Sequence, residues 1–182
     1  YHSLVTILLK QIYETLINVA QKNGGSLPVR TNFLLDEFAN MPPLKDVTTM
    51  ITAARSRHIR FTMIIQNFAQ LDDVYGKEEA ETIRGNCGNI VYLITTELKA
   101  LEEISKMCGE VKSKKDDKTA STPLVTVSDL QRMKQFEVII LRMRKQPFKT
   151  KFTPYFKLDW GINYPPAKYP TRAKRPLHTF DI

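Results

Sequence analysis

Two adjacent carboxylates, Asp36 and Glu37, end the apolar run Phe33-Leu34-Leu35, and no other point in the chain is better placed for chemistry. Phe33 to Leu35 reads as a short strand buried on both faces, as in a parallel sheet, with the acids emerging at its carboxyl end. Open α/β sheets keep their ligand sites at that end. One carboxylate there can hold Mg²⁺ through water while its neighbour takes a proton from an attacking water, the equipment of phosphoryl transfer. A few hydrophobic residues followed by Asp-Glu also occur wherever a strand ends in a solvated acidic turn, so the pair needs partners.

Candidate partners lie downstream. Arg60-Phe61-Thr62-Met63-Ile64-Ile65-Gln66 reads as a second buried strand ending in a lone amide, which can donate to a phosphate oxygen and accept from water. Between the two strands, Leu44, Val47, Ile51 and Ala54 mark a helix from about Leu44 to Arg57, preceded by the rigid Met41-Pro42-Pro43 turn. Strand, helix and strand make one βαβ unit. Arg55 and Arg57 close the helix, where the ordinary role of a cation is to oppose the helix dipole. The three histidines, His2, His58 and His178, have no ligand spacing and read as surface residues.

The remaining elements must position these groups. Tyr1 to Asn23 reads as a packing helix, with Leu4, Leu8, Ile12, Leu16 and Ala20 on one stripe and Val5, Leu9, Tyr13 and Ile17 beside it; Asn23-Gly24-Gly25 stops it. Asn67 to Tyr75 reads as a turn or short helix, and Lys77 to about Arg84 as an acidic amphipathic helix broken at Gly85. Ile90 to Ile94 reads as a third buried strand, followed by a helix capped by Thr96 and ended by Gly109. Lys112 to Thr122 reads as a charged loop, and Ser128 as the cap of a short helix. Glu137–Met143 and Phe148–Phe156 read as a hairpin with an exposed edge.

Composition bounds the class. With 182 residues, 42% hydrophobic and 25% charged, the chain suffices for one domain with a real core. It contains no run near the roughly 20 apolar residues of a membrane span, and no secretory leader, so the expectation is a chain soluble as it stands. Cys87 and Cys108 suggest neither a disulfide framework nor a zinc site, which fits a reducing cytosol. The formal charge of +8 comes from the end of the chain: residues 141–182 hold 10 Lys/Arg against 2 Asp/Glu, and 10 − 2 = 8. That basic, proline-rich end reads as a solvated tail or a phosphate-seeking arm.

A resemblance now covers most of residues 1–158. Leu34-Leu35-Asp36-Glu37-Phe38-Ala39-Asn40, then Ala54-Arg55-Ser56-Arg57, then Gln66-Asn67-Phe68-Ala69-Gln70-Leu71-Asp72-Asp73-Val74-Tyr75-Gly76, and the turn Arg84-Gly85-Asn86-Cys87 resemble the motor domain of conjugative coupling proteins of the TraG/TraD type. The resemblance implies a RecA-like P-loop core, mainly a parallel sheet flanked by helices, with a C-terminal β-hairpin; residues 159–182 lie beyond it and read, from their charge and prolines, as a basic tail. It also implies ATP and Mg²⁺ as cofactors of a homo-hexameric ring at the cytoplasmic face of the membrane. Such a ring passes single-stranded DNA with its relaxase into a type IV secretion channel. Asp36 would then hold the Mg²⁺ shell, Glu37 polarise the water and Gln66 sense the γ-phosphate. Arg55, with Arg57 as competitor, would reach a neighbouring subunit's nucleotide. The notion of a single site requires the acids, the amide and the arginine to converge on one rim of the sheet.

One departure matters. The chain contains no Gly-x-x-x-x-Gly-Lys-Ser/Thr loop, so it carries the acid half of a nucleotide site without the phosphate cradle, which the family places upstream. Other readings are a binding module for DNA or relaxase, using the basic tail and the 112–122 stretch, and a Mg²⁺-dependent nuclease, which would want a further acid where Gln66 stands. Ring translocases of the FtsK type share the acid strand and arginine helix but are separated by the Gln66–Gly76 run. The expected result of an ATPase assay on these 182 residues is neither tight ATP binding nor hydrolysis. Mg²⁺-dependent turnover abolished by Glu37→Gln would overturn it.

Overall fold

Two strands with the same polarity form the sheet that carries the acids. In the computed structural model, which describes residues 2–115, 118–162, 165, 167 and 168, β1 (Thr31–Leu35) pairs in parallel with β2 (Ile59–Met63). The register sets Phe33 against Phe61 and Leu35 against Met63, and the two phenyl rings stack at 4.8 Å. Only one face of the pair is covered. Phe33 and Leu35 are buried while Leu34 between them is 73% exposed, so β1 shows period-two alternation instead of burial on both faces.

The covering helix is α1 (His2–Lys22), which lays Leu9, Tyr13, Leu16, Ile17 and Ala20 on the sheet. That spacing is a helical face. Leu4, Leu8 and Ile12, expected on the same packed stripe, are exposed (Leu4 65%). The apolar residues of α1 span more than one face, and the sheet covers only one. Past its end the Gly25 N–H bonds the Ala20 carbonyl at 2.8 Å, with Gly24 and Gly25 at positive φ, a left-handed helix stop.

α2 (Val47–Ala54) begins three residues later than expected because Asp46 has a left-handed backbone (φ 63°). The Arg55–Arg57 stretch continues it as a single 3₁₀ turn. α3 (Phe68–Tyr75) and α4 (Lys77–Asn86) are separated by Gly76 at φ 75°. Asn67 caps α3 by accepting the Gln70 N–H at 2.8 Å. α4 runs through Gly85, where a break was expected, because a glycine in the last turn leaves the helical bonds intact. These helices and the β1–β2 sheet enclose one core, with Phe38, Leu44, Val47, Leu71, Tyr75 and Ile83 among its buried members.

The third strand departs from expectation. β3 (Asn89–Tyr92) joins an antiparallel sheet, ordered β3-β6-β7, with β6 (Glu137–Arg142) and β7 (Phe148–Lys151). Val91, Leu93 and Ile94 are exposed. An apolar run does not say which neighbour a strand will find, and here it finds the β6–β7 hairpin, which was expected. The parallel arrangement is therefore confined, among the described residues, to β1 and β2. A second core of Tyr92, Leu101, Ile104, Cys108, Leu130, Met133, Ile139 and Leu141 lies between this sheet, α5 (Leu98–Cys108) and α6 (Val127–Gln131). Burial pushes the thiol pKa of both free cysteines, Cys87 and Cys108, upward.

The stretch expected as a charged loop is a hairpin of β4 (Glu110–Lys115) and β5 (Lys118–Pro123), paired through six residues of each strand. Lysine, serine and threonine give no hydrophobic alternation, so nothing in the pattern announces it. Both expected caps were also misplaced. The Glu97 N–H goes to the Thr95 hydroxyl, not to Thr96, and α6 is capped by Thr126, not Ser128.

The chain divides into two units, Tyr1–Phe152 and Thr153–Ile182. In the second, Tyr155–Lys157 form a 3₁₀ turn, and the Trp160 indole N–H donates to the Tyr155 carbonyl at 3.1 Å. Most of the basic tail lies outside the described residues. No helix among the described residues is long and apolar enough to cross a membrane.

The α6 cap generates a pH test. The Thr126 hydroxyl, and then its N–H, hydrogen-bond the Asp129 carboxylate and hold its pKa below the usual value. A depressed folded-state pKa contributes stability above the ordinary value of about 3.9 and loses it as pH falls through the lower folded value. In acid-unfolding titrations Asp129→Asn should flatten that limb. The part owed to Glu137, held low by Lys149 and then by the Lys134 N–H, should remain.

Candidate functional site

The acids and the amide share one rim because strand pairing continues past the strand ends. The Ile64 N–H bonds the Leu35 carbonyl at 2.9 Å, and the Phe38 N–H bonds the Ile64 carbonyl at 2.9 Å. Asp36 and Glu37 therefore leave the sheet beside Ile65 and Gln66. All three candidate side chains are exposed. Gln66 stands three residues beyond the last residue of β2, in the turn before α3, and not at the strand end itself.

Local bonds order the two acids differently. Asp36 Oδ1 accepts the N–H of Glu37 at 3.0 Å, and the side chain is exposed. Glu37 sits at φ 49°, ψ 41°, a left-handed conformation, and its Oε2 accepts from Asn40 Nδ2 at 3.2 Å. Phe38–Asn40 follow as a 3₁₀ turn with Phe38 fully buried.

Neither arginine joins this rim. Arg55 and Arg57 lie just before β2, and the Arg57 carbonyl accepts the Leu27 N–H at 3.2 Å, ahead of β1. They are at the amino end of the pair, a strand length of roughly 15 Å from the acids. The expected convergence fails for a topological reason: the chain must finish the crossover helix before it can start β2. The two arginines also differ from each other. Arg57 turns inward, with Nη1 buried and lacking a hydrogen-bond partner among the described residues, while Arg55 is exposed. Burial raises the Tyr13 pKa, and the Arg57 charge nearby partly opposes it.

The run from Gln66 to Gly76, read as a signature, proves largely to be a scaffold. Leu71 and Tyr75 enter the first core, whereas Phe68 packs on the second. The Phe68 N–H donates to Glu97 at 3.0 Å, and the Arg84 guanidinium lies 5.0 Å above its ring. Arg84 and Lys99 each meet Asp72 at 3.3 Å. Tyr75 stacks on Phe38 with centroids 5.4 Å apart, and its hydroxyl accepts the Leu44 N–H at 3.1 Å. Sequence reasoning assigned no role to Asn40, Asp72, Tyr75, Arg84 or Glu97. Their only signal was membership in the quoted runs or, for Glu97, a place at a helix start.

Residues 30–137, more than half of the chain, match the family model TraG-D_C, described as "TraM recognition site of TraD and TraG". The chain belongs to the TraG/TraD family of conjugative coupling proteins. A conjugal transfer protein TraG of Rhizobium radiobacter is 25% identical over 169 residues, covering 84% of the chain and 26% of that relative. A protein VirD4 from the same species is 30% identical over 108 residues, 57% of the chain and 15% of the relative. The chain thus spans about a quarter of the length of the TraG relative. Among solved structures, the plasmid coupling protein TrwB with the ATP analogue ADPNP superposes with a TM-score of 0.68 over 82% of the chain and 37% of TrwB, at 22% identity. TrwB with ADP and Mg²⁺ gives 0.63 over 68% of the chain and 30% of TrwB, at 24% identity. The fold of this TraG/TraD chain is that of the matching part of TrwB.

The Asp72 cluster makes a prediction. The Asp72 and Arg84 side chains are only 11% and 17% exposed, whereas Lys99 is 56% exposed. Arg84→Ala should lower unfolding stability by roughly 1–3 kcal/mol, since it removes the less exposed partner of a partly buried carboxylate and leaves only the exposed Lys99 beside it. Lys99→Ala should cost less than about 1 kcal/mol. Urea unfolding of the two variants measures the difference.

Proposed function

We propose that this chain is the acid-bearing part of a RecA-like ATPase motor that moves single-stranded DNA, with its relaxase, into a type IV secretion channel. The observation that carries the reading is the emergence of Asp36, Glu37 and Gln66 at one carboxyl rim of a parallel strand pair, in a fold shared with a coupling protein solved with nucleotide. On this reading residues 1–158 belong to the motor and 159–182 form a basic tail. The complete protein works as a homo-hexamer at the cytoplasmic face of the membrane. The family description adds a TraM-type relaxosome protein as a partner for this region.

The donor set fits a Mg²⁺ site of the sparse kind. Mg²⁺ keeps most of its waters and takes one or two carboxylates plus phosphate oxygens, and the exposed carboxylate of Asp36 suits a water-mediated contact. When bound, the ion would offset charge on the transferring phosphoryl group. The chain does not fit a triphosphate unaided, because no glycine-rich lysine loop is present to grip it. A further stretch of polypeptide has to supply that loop.

In the step itself, water attacks the γ-phosphorus, the bond to the β,γ-bridging oxygen breaks, and ADP leaves. Glu37 takes the proton of the attacking water. Gln66 donates its amide N–H to a γ-phosphate oxygen. Arg55 lies too far along the strand to reach the same nucleotide and is exposed, which suits action on a neighbouring subunit's site. Arg57, turned inward, is the poorer choice.

Complementation in the complete, assembled protein tests this arrangement. Glu37→Gln and Arg55→Ala should each reduce ATP turnover on the order of a hundredfold or more. Mixed rings of the two variants should regain activity, since an interface between an intact Glu37 and an intact Arg55 is whole. Mixed rings as inactive as either parent would exclude an arginine acting across subunits.

A further inference from the structure

Glu37 has a backbone conformation that a side chain disfavours. At φ 49°, ψ 41° its Cβ crowds the following carbonyl, and a residue other than glycine remains there only where its surroundings leave no alternative. Such residues gather at sites that depend on where the side chain then points.

The surroundings can be named. Phe38, the next residue, is fully buried, with its N–H fixed to the Ile64 carbonyl at 2.9 Å. Its ring lies against Tyr75 at 5.4 Å with planes 15° apart. Tyr75, itself 8% exposed, accepts the Leu44 N–H through its hydroxyl at 3.1 Å. One side chain therefore holds both ends of segment 38–44. From within that segment Asn40 reaches back to the Glu37 carboxylate at 3.2 Å. With Leu35 bonded to Ile64 on one side and Phe38 bonded to the same residue on the other, residues 36 and 37 occupy a space that regular parallel pairing gives to one residue, and must absorb the extra residue in their backbone.

We infer that Tyr75 is a positioning residue for Glu37: by clamping Phe38 and Leu44 it enforces the left-handed turn that presents the carboxylate beside Gln66. The consequence for turnover rests on the function proposed above, whereas the mechanical coupling does not. Tyr75 closes the same eight-residue helix whose start follows Gln66, so one rigid element sets both the acid and the amide.

A double-mutant cycle on the 182-residue chain tests the coupling. Glu37→Gly relieves the strained backbone and should raise the folding equilibrium constant roughly fivefold. In a Tyr75→Leu background the same substitution should gain less than about twofold, because residue 37 is no longer held. Equal gains in both backgrounds overturn the inference. If Tyr75→Leu does not fold, Tyr75→Phe keeps the stack and frees the Leu44 N–H. The gain must then fall measurably below that in the unaltered chain, and an undiminished gain again overturns the inference.

Turnover by the complete protein gives the second readout. Tyr75→Leu should lower kcat on the order of tenfold while KM for ATP stays within about twofold, and Tyr75→Phe should recover most of the loss. If Glu37→Gln leaves turnover intact, the proposed function fails while the folding cycle still judges the clamp. If Glu37→Gln abolishes turnover and a folded Tyr75→Leu keeps full kcat, the clamp has no part in aiming Glu37.

Discussion

A single residue, Ile64, bonds the loop of the acids through both its N–H and its carbonyl, and the rim depends on that exchange. Strand pairing alone would bring β1 and β2 together and then release their ends to solvent. The two bonds carry the pairing past the last strand residue, so the acids and the amide leave the sheet in register. Each bond is worth only about 1 kcal/mol net, but together they restrict where residues 36 and 37 can go.

Helix α3 is the other common element. It gives Leu71 and Tyr75 to the core beneath the parallel pair and Phe68 to the core beneath the antiparallel sheet. Its N-terminal turn is held by Glu97, at the start of α5, and by Arg84 of α4, and its C-terminal turn grips the segment after the acids. Lateral movement between the two cores would therefore register at Gln66, which precedes the helix cap Asn67. The Asp72 ion pairs, made to residues of α4 and α5, resist such movement.

Much of this was legible in the residues. Apolar runs ending in Asp-Glu and, three residues past the strand, in Gln66 revealed two strands and the candidate groups that follow them, and the helix between them required a parallel crossover. The hairpin expected from Glu137–Met143 and Phe148–Phe156 was visible through alternation and the intervening turn residues, although its second strand stops at Lys151, ahead of Pro154. What stayed hidden was set by partners distant in sequence. β3 could not announce an antiparallel neighbour some 50 residues away, and the lysine-rich hairpin has no apolar rhythm to detect. The arginines do not converge with the acids within one chain, because residues that directly precede a strand fall at its amino end. The outer stripe of α1 looks like core by periodicity, yet only a neighbour could make it so. Tyr75 showed only as one letter in a run, and its two contacts, to Phe38 and Leu44, lie more than 30 residues upstream.

The separation of Arg55 from the acids by the length of a strand gives the unit a front and a back. On the proposed reading, copies that share a nucleotide must meet front to back, which is a heterologous contact and cannot be satisfied by a two-fold pair. Repetition of that contact either closes a circle or runs on as a filament, and in a closed circle every copy both supplies and receives a guanidinium. Such an assembly has an inherent sense of rotation, clockwise or counter-clockwise, already written into the polarity of one short β-strand.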